Sequence, residues 1–290
     1  IRGMFAQYMS ETVINHLLQH PEKLKLGGER RRVTLFFSDL AGFTTLSERL
    51  APETVVALLN DYLSRMTEII LEEEGTVDKF EGDAIMAFWG APLDQEDQAI
   101  RACRAALRQV AALADLNREF TRRGLPPLTL RIGLHTGEAI VGNLGSSRRF
   151  DYTVIGDTVN LASRLEGLSK FYGTGILAGE ATVSECGAGV EFRELDLVAV
   201  KGREEPVRVF EVLAVKGELA SAQAAVREDF APGLELYRRS RFEEAAARFA
   251  HALEHSPHDG PAQTFLARCR DFQAAPPPPD WDTVFRPDKK

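Results

Sequence analysis

The chain has 290 residues, 44% hydrophobic and 27% charged, and its 35 basic against 43 acidic side chains leave a net charge of −8. This composition suits a soluble globular protein with a sizeable core and argues against a dedicated nucleic-acid binder, although a local basic patch could still grip a small polyphosphate. Cys103, Cys186 and Cys269 lie far apart with no CxxC pair, which suggests neither a disulfide framework nor a zinc site and points to a reducing, cytoplasmic setting.

No apolar run approaches the roughly 20 residues of a membrane helix, and no signal peptide is evident. The sequence begins at Ile1 rather than at Met, as expected of a piece of something longer. Residues 1–31 read as a helical lead-in, with Phe5, Tyr8, Val13, Leu17 and Leu18 at helical spacing and a polar patch, Gly27–Arg32, that breaks the pattern. Val33–Phe37 is apolar and β-favouring, as a strand buried on both faces should be. Helical patterns follow at Thr44–Leu50 and Pro52–Glu74, and then Thr76–Lys79 and Ala84–Trp89 read as a hairpin. Asp94–Arg123 is a long amphipathic helix stopped by Gly124. Leu128–His135 and Glu138–Leu144 alternate as two strands about a turn at Thr136-Gly137. Thr153–Ile155 leads into a helix, Thr158–Phe171, with Asp157 as N-cap. Short strands at Ile176–Ala178, Phe192–Val200 and Val207–Val212 complete an α+β domain over residues 32–214.

Residues 215–275 differ: alanine and charge dominate, and the spacings fit equally one tetratricopeptide (TPR) repeat of about 34 residues or a generic helical hairpin. Either must pack on something else, because a single repeat cannot bury its own apolar face. Pro276–Pro279 stops helix formation, so residues 276–290 read as an extended tail.

Three constellations carry chemistry. Asp39 closes an apolar strand and precedes a Gly42 turn and a helix start, where a carboxylate can hold a cation and free N–H groups can face phosphate; taken alone, its position favours an ordinary N-cap or strand-end Asp. Asp83 sits in the next hairpin turn, and if the sheet edges meet, the two carboxylates converge as Mg²⁺ binding requires. Asn160 and Arg164, four apart on a helix, share a face suited to a sugar oxygen and a phosphoryl group, although helical arginines are usually solvated. His135 is assigned to a strand-end turn as a structural polar residue. Glu81 and Asp78 are taken as solvated turn charges, and Arg148-Arg149 as a solvated loop.

The blocks Phe36–Thr44, Lys79–Phe88, Gly133–Gly137 and Gly156–Arg164 resemble, in order, those of class III adenylate and guanylate cyclases. The resemblance implies a ferredoxin-like α+β core working as a head-to-tail homodimer with shared active sites. It implies two divalent metal ions, Mg²⁺ or Mn²⁺, on Asp39, Asp83 and the Leu40 carbonyl. Asn160 and Arg164 match the pair that orients ribose and stabilises pentacovalent phosphorus. Lys201 resembles the lysine that grips the terminal phosphates, and Gly42, Phe43 and Thr44 would line the nucleotide. The base-selecting positions are Lys79 and Thr153. Lys donates to adenine N1, where guanine's N1–H would better meet a Glu, so ATP is the expected substrate. Thr153 stands where many members carry Asp, and Lys–Thr pairs resemble the bacterial subgroup of bicarbonate-responsive adenylate cyclases, which makes bicarbonate regulation an expectation. The lead-in resembles the helix joining cyclase domains to an upstream membrane or sensor region. A guanylate cyclase and a catalytically silent dimerisation or sensing module are the alternatives. A GGDEF-type diguanylate cyclase lacks support because its loop motif is absent.

Overall fold

The computed structural model describes residues 14–15, 18–19, 27–146 and 149–287, apart from the side chain of Arg149. The expectations for Phe5, Tyr8, Val13, Leu17 and Arg148 lie outside the described residues, as does that for the Arg149 side chain.

The core is one mixed sheet in the order β2-β3-β1-β4-β6-β8-β7, with β5 pairing β4 off that path. Its strands are β1 (Gly27–Leu40), β2 (Thr76–Glu81), β3 (Ala84–Trp89), β4 (Leu130–Ser146), β5 (Arg149–Ile155), β6 (Ile176–Gly179), β7 (Val190–Val198) and β8 (Val207–Val215). All neighbours are antiparallel except β4 and β6. The helices are α1 (Phe43–Ser47), α2 (Pro52–Glu72), α3 (Gln98–Arg122), α4 (Asp157–Tyr172), α5 (Glu180–Cys186), α6 (Ser221–Arg238), α7 (Phe242–His255) and α8 (Gly260–Ala274). The α+β class is therefore as the sequence implies.

Two strand boundaries differ from expectation, for one reason. β1 runs straight through the polar patch at Gly27–Arg32, because β4 pairs with it along its whole length, from Gly27 opposite Asn143 to Leu40 opposite Leu130. Ladder bonds carry those polar residues where hydrophobic patterning is silent. β4 is likewise one 17-residue strand with no turn at Thr136-Gly137. Gly137 serves packing: a Cβ there would meet Thr158 Oγ1 at 2.8 Å. His135 thus lies mid-strand, buried, and burial pushes its pKa down to about 4, with Arg203 adding to the effect. It is neutral at physiological pH. α4 begins at Asp157 with Gly156 as N-cap, so Asp157 caps nothing and instead accepts from Arg203 Nε at 2.9 Å. α5 escaped the sequence reading because its seven residues show too little periodicity.

α2 and α3 cover one face of the sheet with β1, β3 and β4 in the largest core cluster, which includes Phe36, Trp89, Tyr62 and Phe120. Cys103 and Cys186 meet within it, Sγ to Sγ 3.7 Å, as free thiols. α6 packs onto β7 and α8 onto α4, with α7 held against both helices: Phe230, Phe249 and Phe265 share a cluster with Leu161, Leu165, Tyr172 and Val198. Buried ion pairs join the layers. Arg193 of β7 meets Asp259 Oδ1 at 2.9 Å, and Arg268 of α8 meets Asp196 at 2.7 Å. After the proline run the chain docks rather than extending freely. Phe285 N–H donates to the Leu197 carbonyl at 2.8 Å, and Arg268 lies 4.1 Å over the Phe285 ring.

Candidate active site

Asp39 is the penultimate residue of β1, and Asp83 sits in the β2–β3 turn beside Gly82, whose φ of 66° favours glycine. Because Ser38 pairs with Ile85, the antiparallel register sets both carboxylates at the same end of the sheet. Asp83 Oδ2 accepts the Leu40 N–H at 2.9 Å. Burial, then a hydrogen bond to Asp39, push the Asp83 pKa up to about 6, with the charge of Asp39 adding to it. Asp39 Oδ2 in turn accepts from Arg131 Nη2 at 2.7 Å, and Arg131 Nε lies 3.0 Å from Glu166 Oε1. Burial lifts the Glu166 pKa to about 7, against the pull of Arg131. Sequence reading missed Arg131 and Glu166; only the pairing of Asp39 with Arg131 across β1 and β4 exposes them.

The crowding of Asp39 and Asp83 is itself a test of fit. Two carboxylates pressed together raise one pKa, and a hard divalent cation between them removes that repulsion while using oxygen donors of the right kind. Phe43 is buried in the main core, so its ring is not available to a ligand, whereas Gly42 and Thr44 are exposed beside it.

A second group forms at the β2–β5 edge. The β2–β3 register shifts between Val77 and Lys79, which makes Asp78 the extra residue of a bulge. Bulges commonly re-aim a side chain near active sites. Here the bulge buries Asp78 completely at the side chain, and Thr153 Oγ1 donates to its Oδ2 at 2.5 Å. Asp78 is therefore not the solvated turn charge expected from sequence. Burial pushes its pKa up, opposed first by the Thr153 hydrogen bond and then by the Lys79 charge. Lys79 remains half-exposed with Nζ 3.5 Å from Asp78 Oδ1, and Glu81 is exposed, as expected.

The third group lies on α4. Asn160 is exposed, and Arg164 Nη1 is buried without a hydrogen-bond partner among the described residues. A Cβ on Gly202 would lie 3.5 Å from Arg164 Nη2, so the Lys201-Gly202 turn backs onto this guanidinium. Arg203 fastens that turn to Asp157 at the start of α4. An orphaned buried guanidinium N–H beside an exposed lysine is a cradle for an anion.

Residues 28–212 match the family described as the adenylate and guanylate cyclase catalytic domain. The chain belongs to that family. Adenylate cyclase 1 of Rhizobium meliloti (strain 1021) is 38% identical over 220 residues, 76% of this chain and 33% of that protein. The adenylate cyclase of Anabaena cylindrica is 39% identical over 201 residues, 67% of this chain and 39% of that one. The chain thus spans about a third of the length of these two curated relatives. The crystal structure of the adenylyl cyclase CyaB from P. aeruginosa superposes with TM-score 0.63 at 38% identity, covering 67% of this chain and all of that one. That of the guanylyl cyclase Cya2 does so with TM-score 0.61 at 40% identity, covering 67% and 97%. Cyclases of both base preferences are therefore comparably similar, and family membership leaves the base open. The helices α6–α8 lie beyond the matched residues. No helix among the described residues is long and apolar enough to cross a membrane.

Proposed function

We propose that this chain is the catalytic domain of an adenylate cyclase, converting ATP to 3′,5′-cyclic AMP and pyrophosphate at sites completed by a second copy of the chain. One observation carries the choice of ATP, namely the hydrogen bond from Thr153 to Asp78. A hydroxyl that spends its single hydrogen on a buried carboxylate offers only lone pairs to a ligand. Facing the base, Thr153 then accepts from the adenine amino group, and Lys79 donates to adenine N1. Guanine would set its O6 acceptor against that acceptor and its N1–H against the ammonium.

The remaining residues supply binding and positioning. Asn160 orients the ribose, Arg164 holds the α-phosphoryl oxygens on which negative charge builds, and Lys201 grips the terminal phosphates with the amides at Gly42 and Thr44. Two divalent ions, Mg²⁺ or Mn²⁺, held by Asp39, Asp83 and the Leu40 carbonyl, would supply the Lewis-acid charge that activates the ribose 3′-OH and offsets the phosphates. In-line attack on the α-phosphorus then expels pyrophosphate without a covalent intermediate.

Register supports completion by a second copy. The Thr158 end of α4 packs against Gly137, which pairs with Val33, six strand positions from Asp39 and so about 20 Å along β1, and the helix reaches the Arg131–Asp39 pair only further on, at Glu166. Asn160, two residues on from Thr158, is exposed rather than turned into the chain's own core. Incubation with Mn²⁺ and either ATP or GTP is expected to give cyclic AMP at least about tenfold faster than cyclic GMP. A preference for GTP would overturn the reading. The same assay with bicarbonate against matched chloride tests the regulation expected of the Lys79–Thr153 pair; equal rates would remove it.

Asp78→Asn is expected to lower the ATP-over-GTP ratio of kcat/KM by about tenfold, because a side-chain amide can donate to Thr153 and turn its hydrogen toward the base. Steady-state kinetics on both nucleotides measure it, and an unchanged ratio would show that Asp78 does not orient Thr153.

A further inference from the structure

Outside the cyclase core, one cluster of ligand-type side chains has no role in the chemistry above. His251 and His255 stand four apart on α7 and therefore share a face, with ring centroids 5.2 Å apart. Asp229 of α6 reaches across to that face. Its Oδ2 lies 2.7 Å from His251 Nδ1 and 3.6 Å from His255 Nε2, and one donor atom from each of the three falls within 4.8 Å of the others. The carboxylate is buried while both rings are partly open to solvent.

We propose that Asp229, His251 and His255 form a binding site for a zinc-class transition-metal ion that clamps α6 to α7. Two imidazoles and one carboxylate are the donor types that zinc, cobalt and nickel take, unlike the all-oxygen set at Asp39 and Asp83. Ligands about 2.0–2.1 Å from a tetrahedral zinc stand roughly 3.3 Å from one another, against 2.7 and 3.6 Å for the two histidine–carboxylate pairs and at most 4.8 Å for any pair of the three, so rotation of the partly exposed rings suffices to close the site. The partly exposed rings leave the fourth position open to water.

The surroundings fit the same use. Arg248 Nη1 lies 3.4 Å from Asp229 Oδ1, the carboxylate oxygen that a ligand bond through Oδ2 would leave free. Glu254 Oε2 lies 3.9 Å from His251 Nε2, placed to hold the ring's second N–H when Nδ1 binds the ion. The competing account is plain pairing of Asp229 with the two histidines, His251 closely and His255 more loosely, which needs no metal.

Binding of Zn²⁺ and Co²⁺ by the whole chain, compared with its His251→Gln/His255→Gln variant, decides between them, because any binding at Asp39 and Asp83 cancels in the difference. The variant is expected to bind about one Zn²⁺ fewer per chain and to lose the visible Co²⁺ band of a low-coordinate nitrogen site. It should also lose the rise in Tm that Zn²⁺ gives the parent. Asp229→Asn should weaken binding by at least about tenfold while its circular dichroism stays that of the parent. Equal Zn²⁺ stoichiometry in parent and histidine variant, or a parent without the Co²⁺ band, would overturn the site.

Discussion

Replacing Asp39 or Asp83 with alanine is expected to lower kcat by about a thousandfold or more, because either change removes a carboxylate on which the charge compensation of the phosphates depends. Folding is not what fails. Asp39→Ala leaves Arg131 with Glu166, and Asp83→Ala removes a single half-buried acceptor, that of the Leu40 N–H. Asp83→Asn gives a sharper form of the same prediction. Burial and Asp39 raise the native pKa of Asp83 to about 6, above its ordinary value of 3.8. A raised carboxyl makes the folded state bind the extra proton, so its contribution is favourable at low pH and is lost as pH climbs through about 4 to 6. At pH 7 without divalent metal, ionised Asp83 therefore opposes folding, and Asp83→Asn should raise Tm in EDTA while activity disappears. Opposite signs in the two measurements mark a carboxylate kept for cation binding; a lower Tm with substantial turnover would refute the assignment. Mixing inactive Asp83→Ala and Arg164→Ala chains extends the test. Random pairing makes half the dimers mixed with one intact site each, so activity should recover to about a quarter of the parent's. No recovery from proven mixed dimers would exclude shared sites.

The sequence made the acidic pair, the helix bearing Asn160 and Arg164, and most elements legible, because each of these is local: apolar periodicity, a Gly turn, a fixed spacing. What it hid depends on pairing across distance. The polar residues Gly27–Arg32 looked like a break, yet β4 holds them as strand. Thr136-Gly137 looked like a turn, since Gly marks turns and close packing alike, and only α4 lying on Gly137 tells which. Asp78 looked solvated beside Lys79, and its burial follows from a bulge that periodicity cannot show. Arg131 gave no signal at all, because its meaning lies in facing Asp39 across a ladder.

The other large effect is expected at Gly133, a residue with no side chain to offer a ligand. This residue lies within β4 opposite Phe37, and a Cβ there would stand 2.2 Å from the Ala162 carbonyl oxygen and 2.3 Å from the Glu166 amide nitrogen. Both atoms are backbone of α4, so no side chain can rotate out of the way, and the helix must lift from the sheet. Overpacking of this kind costs about 1–3 kcal/mol. The functional cost should be larger, because Asn160 and Arg164 ride on the same helix, and a misplacement of about 1 Å can lower a rate by about a hundredfold. Gly133→Ala is thus expected to lose several degrees of Tm and most of kcat, with the metal carboxylates untouched. Gly167→Ala is the matched control on the same helix. Nothing lies within 4 Å of its added Cβ, its φ is not in the left-handed region, and alanine favours a helix interior by about 0.5–1 kcal/mol. It should leave kcat unchanged and raise Tm slightly. If both substitutions behave alike, the height of α4 above the sheet does not set the active-site geometry, and the cyclase pair is held by something other than this close glycine contact.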